Sequence, residues 1–292
     1  MRLESIMKRS FIVNIFLIAI KIFSGIFFNS IALIADGVHS ISDLLSDVFV
    51  ILGIRHSLKP ADDEHPFGHG KFEYVLSLML GVFILIIAYG LGKEVITNYN
   101  EPVVIPGIVS LIVVIFVVVV KLFLARYLIR KGKEEDSQIV SASGKESLTD
   151  VFSSIVVFVG ILAVLIGEKF DIAVFLKGDK IASVIIALFI VNIGIRIIYE
   201  AITSLQGKAV HPEICDEYKL SIEKIEGVMG VDKIDMITYG PYYQALIEIK
   251  VDGNIKVREG HDIAEHVSDI LYSDEKICHV VVHVNPGVKK WV

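Results

Sequence analysis

The stretch Ile31–Ile54, IALIADGVHSISDLLSDVFVILGI, decides the fold and already hints at the chemistry. It reaches the roughly 20 residues needed to cross about 30 Å of hydrocarbon. Yet it carries Asp36, His39, Asp43 and Asp47, whose spacing of 3, 4 and 4 stacks all four on one helical face. Most positions between them are apolar or small, Ile34, Ala35, Gly37, Val38, Ile41, Leu44, Leu45 and Val48 among them. Working outward, five further apolar segments of similar length follow the same plan: Phe11–Phe28, Tyr74–Ile96, Val103–Ile129, Ile139–Ile166 and Ile181–Leu205. Six in succession, joined by short polar loops, do not read as the buried helices of one soluble core. They predict an α-helical membrane protein with six transmembrane helices. The first segment follows Lys8-Arg9 but lacks a small-residue cleavage pattern, so it reads as a retained span rather than a signal peptide.

Composition supports two units with different solvents. Of the 292 residues, 54% are hydrophobic and 21% charged, and the mean hydropathy is +0.66. In residues 1–209, 19 Lys and Arg balance 19 Asp and Glu; in residues 210–292, 9 face 15, which accounts for the whole net charge of −6. The expected domains are therefore a transmembrane block, 1–209, and a polar acidic block, 210–292. The latter reads as helix Glu213–Ile225, strand Val228–Thr238, strand Ala245–Val251, amphipathic helix Val257–Tyr272 and strand Cys278–Val284. That αββαβ order suggests a small α+β sheet with both helices on one face. Ten basic residues fall in the N-terminus, the second-to-third loop and the fourth-to-fifth connection, against four on the other side. By the positive-inside rule both termini are cytoplasmic. An acidic pI near 5.9 without basic clusters excludes nucleic acid as a partner. Two cysteines, Cys215 and Cys278, make no disulfide framework, and no phosphate-binding Gly-Lys-Ser/Thr loop is present.

The informative residues are ionisable groups inside apolar spans, which are costly unless paired or wet. The fifth span adds Glu146 and Asp150, one turn apart. His39 with Asp43, and Glu146 with Asp150, form two i, i+4 pairs, each able to grip one ion from one helix. The set is nearly all acidic. Lys145 points about 100° away from Glu146, and no lysine or arginine is expected to neutralise these acids. Acids clustered without a base need a cation or protons between them. One nitrogen and three carboxylates suit a divalent transition metal better than Ca²⁺ or a monovalent ion. A second candidate is the loop Asp62-Asp63-Glu64-His65-Pro66-Phe67-Gly68-His69, with two histidines four apart beside acids. The polar block holds His211, His261, His266, His279 and His283, which surface solvation alone would explain.

At Ala35–Asp43, Pro60–Lys71 (PADDEHPFGHGK) and Ala142–Asp150 the sequence resembles the cation diffusion facilitator family of divalent-metal/proton antiporters, and is most similar to bacterial ferrous-iron and zinc efflux members. The resemblance runs over essentially the whole chain, and Lys21 falls where the family often has a first-span lysine. It implies a transport site of His39, Asp43, Glu146 and Asp150, and a loop site of Asp62, His65 and His69. It also implies cytosolic ligands at Asp232, Glu248, His261 and His283, a ferredoxin-like cytosolic domain and a homodimer. Glu146 stands where the family usually has His or Asp. The harder, more oxygen-rich set weakens the case for Zn²⁺ and raises Mn²⁺ and Fe²⁺. Asn285 replaces an aspartate that bridges two metals in some members, and Gly207 an aspartate that pairs with the residue matching Lys71.

The expected function is efflux of a divalent metal (Zn²⁺, Fe²⁺ or Mn²⁺) across the plasma membrane, driven by inward proton flow through alternating access. Metal ligation needs the deprotonated ligands, so protons and metal compete for them. A passive divalent-cation channel and a metal-responsive membrane sensor are the alternatives. An enzyme is not expected, because no nucleophile–base pairing is visible.

Overall fold

The computed structural model describes residues 2–97, 104–134 and 138–287. Val103, at the start of the expected fourth span, and the side chain of Asp47 lie outside the described residues. Six long helices come first: α1 (Arg2–Phe27), α2 (Ile31–Ser57), α3 (Phe72–Thr97), α4 (Ile108–Glu134), α5 (Gln138–Phe170) and α6 (Gly178–Leu205). Among the described residues, five are long and apolar enough to cross a membrane: Ile6–Phe27, Phe72–Thr97, Ile108–Glu134, Ser143–Phe170 and Phe175–Leu205. That count leaves out α2, whose residues 46–47 and 50–55 have side chains outside the described residues. After these come α7 (Pro212–Ile222), β1 (Gly230–Tyr239), β2 (Tyr242–Asp252), α8 (Val257–Tyr272) and β3 (Ile277–Gly287). The chain clusters into two compact units, Met1–Asp47 with Leu80–Arg196, and Val48–Met79 with Ile197–Val292.

In the first unit the usual polarity is inverted, as expected of a protein whose solvent is lipid. The buried residues of α4 are Ser110, Val114, Val117, Lys121, Ala125, Leu128 and Gly132, one stripe at three- and four-residue steps. Its exposed faces instead carry Ile112, Phe116, Val119 and Phe123. Lipid tails are as apolar as leucine, so helix pairing relies on close packing and internal polar contacts. Small residues supply the closeness. A Cβ at Gly144 of α5 would stand 2.7 Å from the Ile129 side chain of α4, and one at Gly37 of α2 would stand 2.6 Å from Ile22 of α1. The α1–α2 turn passes through Asn29 at φ 57°, and Ser30 Oγ caps α2 by accepting from Leu33 N at 3.2 Å. Asp179, in the first turn of α6, completes that cap. Its carboxylate accepts from the Ser30 hydroxyl at 2.6 Å and from Ile31 N at 2.8 Å.

The C-terminal part folds as a small α/β unit with sheet order β1-β2-β3. The β1–β2 pair is antiparallel and β2–β3 parallel, the latter joined through α8 as a parallel crossover requires. Ala245, Ile247, Ile249 and Val251 of β2 face the helices and form the core with Ile222 of α7 and Val267 and Leu271 of α8. Each fully buried isoleucine here contributes about 1.5–3 kcal/mol. The order αββαβ and the span of α8 match the sequence expectation. β2 runs longer because Tyr242 and Tyr243 continue the ladder opposite Tyr239 and Thr238.

Candidate metal centre

Helix α2 sends Asp36, His39 and Asp43 toward α5, which presents Asp150 in return. His39 Nε2 lies 3.8 Å from Asp43 Oδ2 and 4.0 Å from Asp150 Oδ1, and ligand atoms of these three residues all lie within 4.8 Å of one another. His39 Nδ1 and Asp43 Oδ2 are buried without a hydrogen-bond partner among the described residues, an arrangement that costs about 1–3 kcal/mol per group unless something fills it. Asp43 and Asp150 border a cavity of about 30 Å³ that Asn14, Ser40, Lys121 and Glu146 also line, among others. That is room for one or two waters or a partly dehydrated ion. Glu146, the fourth residue of the expected set, lines the cavity but is exposed and stands outside the 4.8 Å trio.

The expectation that no base faces these acids is wrong. Lys121, from the buried stripe of α4, places Nζ 2.5 Å from Asp150 Oδ2 and donates to Asn14 Oδ1 at 2.9 Å. A lysine stem is apolar enough to lie in a helix interface while its ammonium reaches across it, so a lone lysine in an apolar span conceals a contact that spacing cannot show. The only sequence signal was its isolation among Val117–Val120 and Leu122–Leu124. A second base is sealed one turn further on. Lys21 Nζ pairs with Asp36 Oδ2 at 2.8 Å and donates to Ser40 Oγ at 3.0 Å, while the hydroxyls of Ser153 and Ser154 donate to the Asp36 carboxylate at 2.6 and 2.8 Å. Both charged side chains are 0% exposed. Asp36 is thus a filled structural pair, not a vacant ligand.

The loop trio gathers in the second unit. Asp62 Oδ1 lies 3.2 Å from His65 Nδ1, and Asp62 Oδ2 lies 3.4 Å from His69 Nε2. Asp62 also accepts from the His65 and Glu64 amides at 2.7 and 3.1 Å. The bond from the His65 amide is the main reason its carboxyl sits below the ordinary carboxylate range. His56, at the end of α2, joins the group edge-on to His69 at 5.6 Å, a neighbour that sequence reasoning missed because it lies outside the loop motif. The loop is held by the β1–β2 turn: Tyr239 donates its hydroxyl to Gly68 O at 3.0 Å, and Gly240 N donates to the Tyr74 hydroxyl at 2.7 Å. Lys71, for which no Asp stands at Gly207, lies over the Tyr239 ring at 5.7 Å.

Among the described residues the four cytosolic candidates do not close into one group of metal ligands. Asp232 sits at a bulge of β1, and Glu248 stands opposite His283 on the open face of the sheet. Asn285 Nδ2 donates to both Asp232 and Glu248 at 3.3 Å. The Lys250 ammonium on Asp232 holds that carboxyl below its usual range. His261 is on α8, which covers the opposite face.

Buried acids and an imidazole converging between apolar helices are the features of a membrane protein with a candidate cation site. The family model described as "Cation efflux transmembrane domain" matches residues 7–206, and "Cation efflux protein, cytoplasmic domain" matches residues 210–287. The chain belongs to the cation efflux family, the cation diffusion facilitators, whose members are transporters and not enzymes. It is 32% identical to the manganese efflux system protein MneP of Bacillus subtilis over 94% of this chain and 93% of that protein. It is 34% identical to the uncharacterized transporter MJ0449 of Methanocaldococcus jannaschii over 94% and 95%. To MneS, a second manganese efflux system protein of Bacillus subtilis, it is 29% identical over 93% and 91%.

Proposed function

We propose that this membrane protein exports a divalent transition metal, Mn²⁺ foremost with Fe²⁺ and Zn²⁺ behind it, in exchange for protons. The metal is substrate, held by His39, Asp43 and Asp150 with Glu146 at the entrance. The observation that carries the reading is the convergence of ligand atoms of His39, Asp43 and Asp150 within 4.8 Å of one another, with Asp43 and Asp150 bordering an ion-sized cavity. The oxygen-rich donor set favours harder ions, and the similarity to MneP and MneS supports Mn²⁺.

On this reading α2 is the sixth span, both termini are cytoplasmic, and residues 210–292 form a ferredoxin-like domain that pairs two copies in the plasma membrane. Asp62, His65 and His69 hold a second metal that tunes delivery or stability. Exposure falls from Glu146 through Asp43, at 23%, to Asp150 and His39, at 7% and 6%, and ends at the sealed Asp36. That gradient supports a site open toward the start of α5, the cytoplasmic end. Metal arriving there displaces protons from the ligands; after the helices rock, protons from outside displace the metal.

The test is Mn²⁺ uptake by proteoliposomes with an acid lumen. Uptake should rise with the pH step and vanish in Asp43→Ala. Flux indifferent to the step would make the protein a passive channel. Metal binding with no flux would make it a sensor.

A further inference from the structure

We infer that Lys121 is a tethered cation that occupies Asp150 when metal is absent and yields it to the incoming ion. The inference rests on the transport-site reading above and adds a residue that sets the affinity and release of the substrate.

The two Asp150 oxygens are divided. Oδ1 faces His39, and Oδ2 is held by the Lys121 ammonium at 2.5 Å. Lys121 is 3% exposed, so beyond what the small cavity beside it can hold it has little water to turn to. It also borders the same cavity as Asp43 and Glu146. A divalent ion bonded to Asp150 at about 2.0–2.2 Å would therefore meet a like charge within a few ångströms, in a place screened from water where repulsion is strong. The ammonium must withdraw from the carboxylate, and Asn14 Oδ1, already accepting from it at 2.9 Å, gives it a hold to keep as it does so. The exchange swaps one cation for another on the same oxygen. Metal binding is weakened by what the lysine loses, and metal release is assisted by its return. A transporter gains from this, because a site of fully available carboxylates would hold a divalent ion too long to turn over.

The test uses the full-length protein in detergent, with His65→Ala and His69→Ala removing the loop ligands, and Mn²⁺ as the probe, followed by calorimetry and the signal of free Mn²⁺ in electron paramagnetic resonance. A hydrogen bond to a charged group is worth about tenfold to hundredfold in an equilibrium. Lys121→Met should thus tighten Mn²⁺ binding by about that factor, and in proteoliposomes lower both KM and kcat. Lys121→Gln should do the same to a smaller extent, and serves if the methionine variant is not monodisperse. Lys121→Arg, which keeps the charge, should restore binding close to the parent value. Unchanged or weaker binding in folded Lys121→Met or Lys121→Gln overturns the inference, since a merely structural lysine would not restrain the metal. The transport-site reading fails separately: if Asp43→Ala and Asp150→Ala leave Mn²⁺ binding intact, the site itself is misplaced.

Discussion

Asp150→Ala is the obvious way to disable the metal centre, and the structure says that it does more than that. The substitution removes a carboxylate whose side chain is 7% exposed and strands the Lys121 ammonium, 3% exposed, with Asn14 as its remaining acceptor among the described residues. Breaking a buried ion pair by deleting one partner costs about 3–5 kcal/mol, whereas replacing both with apolar groups is often neutral or stabilising. Asp150→Ala should therefore lower the stability of the detergent-solubilised protein by about that amount. Adding Lys121→Met should recover most of the loss. Mn²⁺ flux should be absent from both variants, because neither offers the third ligand. Denaturant unfolding followed by circular dichroism reads the first quantity and proteoliposome uptake the second. Wild-type stability in Asp150→Ala, or a double variant no more stable than the single one, would refute the claim that the pair is buried and intact. Restored flux in the double variant would remove Asp150 from the metal centre.

The contrast is Asp43→Ala, which deletes a buried oxygen without a hydrogen-bond partner among the described residues; unfolding should show stability equal to or above wild type while flux is lost. His69→Ala opens the loop trio but leaves the membrane ligands whole, so Mn²⁺ uptake should persist with a raised KM, measured across a metal titration. Tyr218→Phe removes the 2.6 Å bond to Asp274, which with the Lys276 amide holds the Asp274 carboxyl below its usual range. A depressed native pKa contributes stability that is present above the unfolded aspartate value, near 3.9, and lost as pH falls through the native value. Tyr218→Phe should thus cost about 1 kcal/mol at neutral pH and flatten the acid-side loss, read by hydrogen exchange of the β1–β3 amides between neutral and acid pH. Gly240→Ala forces alanine to φ +63° and drives its Cβ into Gly70; with about 1–2 kcal/mol for the left-handed backbone alone, the loop should part from the β1–β2 turn, seen as faster proteolysis between Leu58 and Lys71.

Local features of this chain were legible and contacts across helices were not. The i, i+4 pairs His39–Asp43 and Glu146–Asp150 follow from 3.6 residues per turn, and the αββαβ order follows from periods of two and 3.6 in residues 210–292. That Asp150 meets His39 and Asp43 could be argued because unpaired acids in an apolar span need a cation. Which cation was the harder question, because the direction of Lys145 on its own helix says nothing of a lysine reaching in from another. Lys121 lies 29 residues from Asp150, on a helix with no other buried charge among its described residues. Nothing in its own neighbourhood announces a partner, and an orientation count based on loops passes over it. Lys21 escaped pairing for the same reason: its partner Asp36 lies across a helix interface that Gly37 and Gly25 make close. A buried acid is read most safely as a demand for positive charge from somewhere in the fold, and each lone lysine in an apolar helix is a candidate to meet it. Here one lysine satisfies its acid completely, and the other leaves Asp150 with one oxygen still facing His39. That difference separates a structural pair from a centre able to take an ion and give it back.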